Sequence, residues 1–145
     1  MLINEYAFWL LPALTAFLAI CVWGRKLTIG ASIIAGILGL LVLEGAGLIG
    51  AFMLLTFFGL SVLATSHKKS VKLLIHPEPI ADNGRTAAQV FANGGVAGIL
   101  SLLAIVYPSY ANLFILMLAA SLASALADTL SSEIGMVYGR RYFNI

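Results

Sequence analysis

The residues best able to do chemistry sit where an apolar run ends. Asp128 and Glu133, with Thr129, Ser131 and Ser132 between them, close the stretch Ala125-Leu126-Ala127-Asp128-Thr129-Leu130-Ser131-Ser132-Glu133-Ile134-Gly135. An acid inside a bilayer costs roughly 2.5–3.5 kcal/mol even on lenient scales, so intramembrane carboxylates mark function by default. Earlier in the chain Arg85, Gln89 and Asn93 recur every four residues, and Lys68, Lys69 and Lys72 cluster just before them. This set suits phosphate chemistry. Arginine clamps a phosphate with two parallel hydrogen bonds, and a helix N-terminus offers free backbone N–H groups to an anion. Mg²⁺ takes one or two carboxylates together with phosphate oxygens and water, which makes Asp128 and Glu133 its expected ligands. Each residue also has a plainer reading. The lysines would set topology or touch anionic headgroups, Gln89 and Asn93 would hold helices together, and the two acids would mark a helix end that has reached water.

The elements that must position these groups are apolar helices. Only 10% of the 145 residues are charged and 61% are hydrophobic, against about 25% charged in a soluble domain; the mean hydropathy is +1.04. The pattern predicts an all-α, polytopic transmembrane bundle of about five spanning helices in a single domain, 1–145. The runs are Tyr6–Trp23, Thr28–Leu43, Leu48–Thr65, a fourth from Arg85 to about Val106, and a fifth from Asn112 to about Tyr138. The first lacks a basic segment ahead of it and reads as a retained span rather than a signal peptide. Glu44-Gly45-Ala46-Gly47 and Tyr107-Pro108-Ser109-Tyr110 read as turns, and a loop covers about 66–84. Within that loop Leu73–Ile75 is too short to span, His76-Pro77-Glu78-Pro79 must turn, and Asp82 or Asn83 is the expected N-cap of the fourth helix. His67 and His76 lack metal-ligand spacing, and Cys21 reads as inert packing.

All eight basic residues fall on one side of this arrangement. The positive-inside rule makes that side cytoplasmic, with the N-terminus outside and the C-terminus cytoplasmic. Asp128 lies ~24 Å along a helix that starts at Asn112, at a depth matching Asn93 on the antiparallel neighbour. Asn93 and Asp128 are therefore expected to approach each other. Glu133 lies ~140° around the helix from Asp128, so the two acids serve one ion only if a ligand sits between helices.

Two blocks, Arg85-Thr86-Ala87-Ala88-Gln89-Val90-Phe91-Ala92-Asn93-Gly94-Gly95 and Ala127-Asp128-Thr129-Leu130-Ser131-Ser132-Glu133-Ile134-Gly135, resemble the signature blocks of the domain-of-unknown-function-92 integral membrane family, the transmembrane protein 19 and phytyl-phosphate kinase group. The resemblance implies kinship with CTP-using prenol kinases, whose characterised activity here is phosphorylation of an isoprenyl monophosphate. The family pattern usually continues past a segment like Gly139-Arg140-Arg141, so this chain looks like its N-terminal portion.

The expected function is therefore a membrane-embedded, lipid-phosphate-kinase-like transfer of a phosphoryl group from a nucleoside triphosphate, CTP favoured, to an isoprenyl monophosphate. Asp128 and Asn93 are the expected catalytic residues. Arg85, Gln89, Lys68, Lys69, Lys72, Thr129 and Ser132 are expected to bind substrate, and Asp128 and Glu133 to hold Mg²⁺. The chain has neither a Walker motif nor a Gly-rich kinase loop. Membrane lipids are the other expected partners; a homo-oligomer is allowed for and nucleic acid is not expected. The expected location is a multi-pass membrane protein, in the inner membrane if the source is bacterial. The rivals are a transporter subunit, whose acids would lie nearer the midplane, and a non-catalytic membrane scaffold.

Overall fold

Long apolar runs leave the backbone no partner but itself in a bilayer, so they become helices. The computed structural model describes residues 2–68, 70–72 and 84–139. These form α1 (Leu2–Trp23), α2 (Ile29–Ser66), α3 (Ala87–Val106), a 3₁₀ turn (Pro108–Tyr110) and α4 (Ala111–Tyr138). By length and composition α2, α3, and α4 with its leading turn are each able to cross a membrane, and Leu11–Trp23 of α1 is a shorter apolar stretch. The protein is an all-α membrane helical bundle. Lys69, Leu73–Ile75, His76–Pro79, the Asp82/Asn83 cap and Arg140–Arg141 lie outside the described residues.

The 38-residue α2 is two helices joined at Gly47, whose φ of 66° and ψ of −160° depart from helical values. A straight helix of that length would span ~57 Å. Yet Lys26 Nζ, just ahead of α2, donates a hydrogen bond at 3.1 Å to Ser66 Oγ at its far end. The chain must therefore reverse at Gly47, giving two arms that each cross the bundle once. Only glycine adopts this backbone without strain. The turn expected over Glu44–Gly47 is thus tighter than the sequence implied: helix runs through Glu44, Gly45 and Ala46 and breaks at one residue.

The core joins the arms of α2 to α3 and α4 through Val42, Ala46, Phe57, Ala97, Leu100, Leu118 and Leu122. The second arm and α4 run parallel. Thr65 bonds Glu133, 68 residues on, and Phe57 shares its cluster with Ala125 at the same offset. A second cluster, Cys21, Leu27 and Ala31 with Phe17, Leu18 and Phe58 packed on it, holds α1 against α2. Arg25, Lys26, Lys68, Lys72 and Arg85 flank helix ends that these contacts gather at one end of the bundle.

Candidate functional site: an apolar cavity headed by Arg85

The backbone fixes Arg85 from both sides. Its N–H donates to Lys26 O at 2.9 Å, and its C=O accepts from Thr28 N at 3.0 Å. This tie needs Gly84 in the left-handed region, φ 80°, where a Cβ would strike the Lys26 backbone. Next to it Thr86 caps α3 in a capping box. Gln89 N donates to Thr86 Oγ1 at 3.4 Å, while Thr86 N donates to Gln89 Oε1 at 2.9 Å. The N-cap is therefore Thr86 rather than Asp82 or Asn83, and the Gln89 side-chain oxygen is taken by the helix start. The Thr-x-x-Gln spacing carries that signal.

Arg85 heads a cavity of about 500 Å³ between α1, both arms of α2 and α3. Its walls are Leu, Phe, Ala, Gly and Val90, with Asn93 and Arg85 as the strongly polar lining residues among those described. The Arg85 side chain is half-buried, and among the described residues no hydrogen bond or ion pair engages its guanidinium. Burial pushes its pKa below the ordinary value and the negative charge of Glu133 opposes that shift. An arginine stays charged throughout. A cation with unused donors at the head of an apolar chamber fits an amphiphile with an anionic head.

The other expected site residues lie elsewhere. Lys72 is 2% exposed and its ammonium donates to Ala64 O at 2.7 Å, Thr65 O at 3.3 Å and Glu133 Oε2 at 2.5 Å. An ammonium has three donors, so Lys72 has none left for phosphate. It caps the carbonyls at the end of α2. Glu133 Oε1 accepts from Thr65 Oγ1 at 2.9 Å, so both its oxygens are engaged. Lys68 lies over the Tyr138 ring, 4.5 Å from its centroid, and His67 Nε2 shares a 3.1 Å hydrogen bond with Tyr138 OH.

Asp128 is exposed on α4, and among the described residues its carboxylate has no partner. Asp128, Thr129 and Ser132 do not line the cavity that holds Asn93, so Asn93 and Asp128 are not brought together there. Thr129 Oγ1 donates back to Ala125 O at 2.9 Å, and Ser132 is exposed. The two acids point apart, as the helical arithmetic implies, and no group of three metal-ligating side chains occurs among the described residues. Glu133 has both oxygens engaged by Lys72 and Thr65. Of the two acids, Asp128 has the free oxygens that Mg²⁺ needs. The residues that sequence reasoning did not single out are Thr65, and Phe17 and Phe58, which meet edge-on with ring centroids 5.7 Å apart.

The sequence model of the family described as "Integral membrane protein DUF92" matches residues 12–145. The chain belongs to this family. No curated protein and no solved structure matches it. Residues 12–145 include the whole cavity lining and the clamp around Lys72, so this DUF92 member carries both features within the matched region.

Proposed function

We propose that this DUF92 protein binds a lipid monophosphate in the cavity and presents it for phosphoryl transfer from a nucleoside triphosphate, CTP favoured. The observation that carries the reading is the half-buried Arg85, whose guanidinium makes no hydrogen bond or ion pair among the described residues, at the head of an apolar chamber. An isoprenyl tail matches walls of leucine, phenylalanine and alanine. The Arg85 guanidinium takes two phosphate oxygens in its fork, and Asn93, half-buried on the same wall, adds a hydrogen-bonding side chain. A phosphate oxygen of the lipid attacks the γ-phosphorus; the bond to the β-phosphate oxygen breaks, and the nucleoside diphosphate leaves with that oxygen's charge. Such transfer depends chiefly on positioning and charge neutralisation. Mg²⁺ would supply the neutralisation on the triphosphate, with Asp128 as the carboxylate free to hold it.

The test is transfer of label from γ-labelled CTP to a panel of isoprenyl monophosphates by the purified chain in bilayers. Labelled isoprenyl diphosphate is expected with the native chain and not with Arg85→Gln. Transfer that survives Arg85→Gln at the native rate would overturn this placement of the phosphate.

A further inference from the structure

The cavity is not uniform along its length. At the Arg85 end its walls are closed: Leu27 is 2% exposed, Leu38 and Gly94 are buried, and Val90 and Asn93 are half-buried. Phe17 on α1 and Phe58 on the second arm of α2 meet across this part and both line it. Toward Gly47 the walls open. Leu48, Phe52 and Leu55 line the same cavity yet are 65%, 71% and 52% exposed, and Ala13 on the facing stretch of α1 is exposed too. The closed half is next to the cation. The open half gives sideways onto the membrane.

We propose that this cavity selects its lipid phosphate by the number of chains and not by their length, with Phe17 and Phe58 as the specificity-determining residues. This rests on reading the cavity and Arg85 as a lipid-phosphate site, and not on phosphoryl transfer. A chain joined to a phosphate at Arg85 must pass the Phe17–Phe58 contact, and a passage narrowed by two touching rings admits one chain more readily than two. A second chain on the same head would have to displace a ring. Beyond that contact the chain runs along the open half. There each added carbon exchanges lipid for lipid-facing leucine and phenylalanine, and lipid tails are as apolar as leucine, so extra length gains and loses little. The lipid reaches the site sideways from the bilayer, between α1 and the second arm.

The test uses the full chain in nanodiscs without nucleotide. Farnesyl monophosphate, geranylgeranyl monophosphate and a dioleoyl phosphatidic acid compete against a fluorescent single-chain phosphate. The two isoprenyl phosphates should agree within about threefold, and phosphatidic acid should bind at least about tenfold more weakly, a gap of ~1.4 kcal/mol. Phe58→Ala should bring phosphatidic acid to within about threefold of the single-chain ligands, on the same scale. Equal binding of phosphatidic acid by the native chain, rejection of the longer isoprenyl phosphate, or an unchanged gap in folded Phe58→Ala would each overturn the proposal. If Phe58→Ala does not fold, nitroxide-labelled single-chain phosphates in the native chain decide. A label near the head should be immobilised and one at the chain end should tumble like bulk lipid; an immobilised chain end overturns it. Labelled-CTP transfer is measured separately. The expected binding pattern without transfer removes only the kinase reading, and transfer without discrimination between one and two chains removes only this proposal.

Discussion

Two cations stand at the same end of the bundle and have opposite fates. Lys72 is buried, and its three donors are spent on two carbonyls and Glu133. Arg85 is half-buried and lines an apolar chamber, and among the described residues its hydrogen bonds are those of its backbone. The sequence gives both the same charge and nearly the same neighbourhood. The difference lies in what surrounds each: helix-end carbonyls needing donors around Lys72, apolar walls that need nothing around Arg85. A basic residue near a site is therefore a ligand group only when the fold has not already used its donors.

The strongest way to break this contrast is to remove one partner of the buried pair. Lys72→Ala leaves Glu133 without its cation and two carbonyls uncapped, and should cost about 3–5 kcal/mol, read as a fall in the unfolding midpoint in detergent. Lys72→Met with Glu133→Leu should recover most of that loss, because no charge is left stranded. If Lys72→Ala unfolds like the native chain and instead loses phosphate binding, the two cations have been assigned the wrong way round.

Arg85→Gln is the complementary change. It should weaken lipid-phosphate binding by about 1.5–3 kcal/mol, the range for hydrogen bonds to a charged group, while the unfolding midpoint stays close to native because the backbone tie is kept. Titration of isoprenyl monophosphate against the matching prenol separates the effects: the variant should lose the preference for phosphate. An unchanged preference would take the anion away from Arg85.

Thr86→Ala removes the hydroxyl half of the capping box and should cost about 1 kcal/mol of stability. It sharpens the comparison because it loosens the start of α3 beside Arg85 without altering any charge. Phosphate affinity should fall less than in Arg85→Gln, and a larger fall would mean that Arg85 is positioned by the helix start rather than by its backbone bonds to Lys26 and Thr28.

The smallest stability effect is expected for Asp128→Asn, within about 0.5 kcal/mol, as for exposed positions without a partner. Under the kinase reading the same variant loses Mg²⁺-dependent turnover, with Ser121→Ala as the control that changes little. Full turnover in Asp128→Asn would end the metal role.

Much of the fold was legible because apolar periodicity and charge placement are long-range signals. Five apolar runs became α1, the two arms of α2, α3 and α4. The ~140° between Asp128 and Glu133, read from helical geometry, anticipates that Glu133 turns toward Thr65 while Asp128 stays exposed. What was not legible depended on partners far apart in sequence. Nothing near Lys72 announces that it closes the end of α2 and meets Glu133, 61 residues later. The expected approach of Asn93 and Asp128 rested on height along the helices and was silent about rotation, and Asn93 lines the cavity while Asp128 does not. The cap of α3 was misplaced for a local reason: Asp82 and Asn83 are strong caps by type, but Thr86 has a glutamine at the right spacing to return the bond.

The backbone tie between Lys26, Thr28 and Arg85 also sets an order of assembly. The turn after α1 leaves the ribosome long before Arg85 is made, and the whole of α2 lies between them. The first two hairpins of the protein thus enter the membrane with one wall of the chamber missing and no cation at its head. Only when the start of α3 docks on the turn after α1 does the chamber gain its cation, so a nascent chain cannot capture an anionic lipid at Arg85 before the start of α3 is in place.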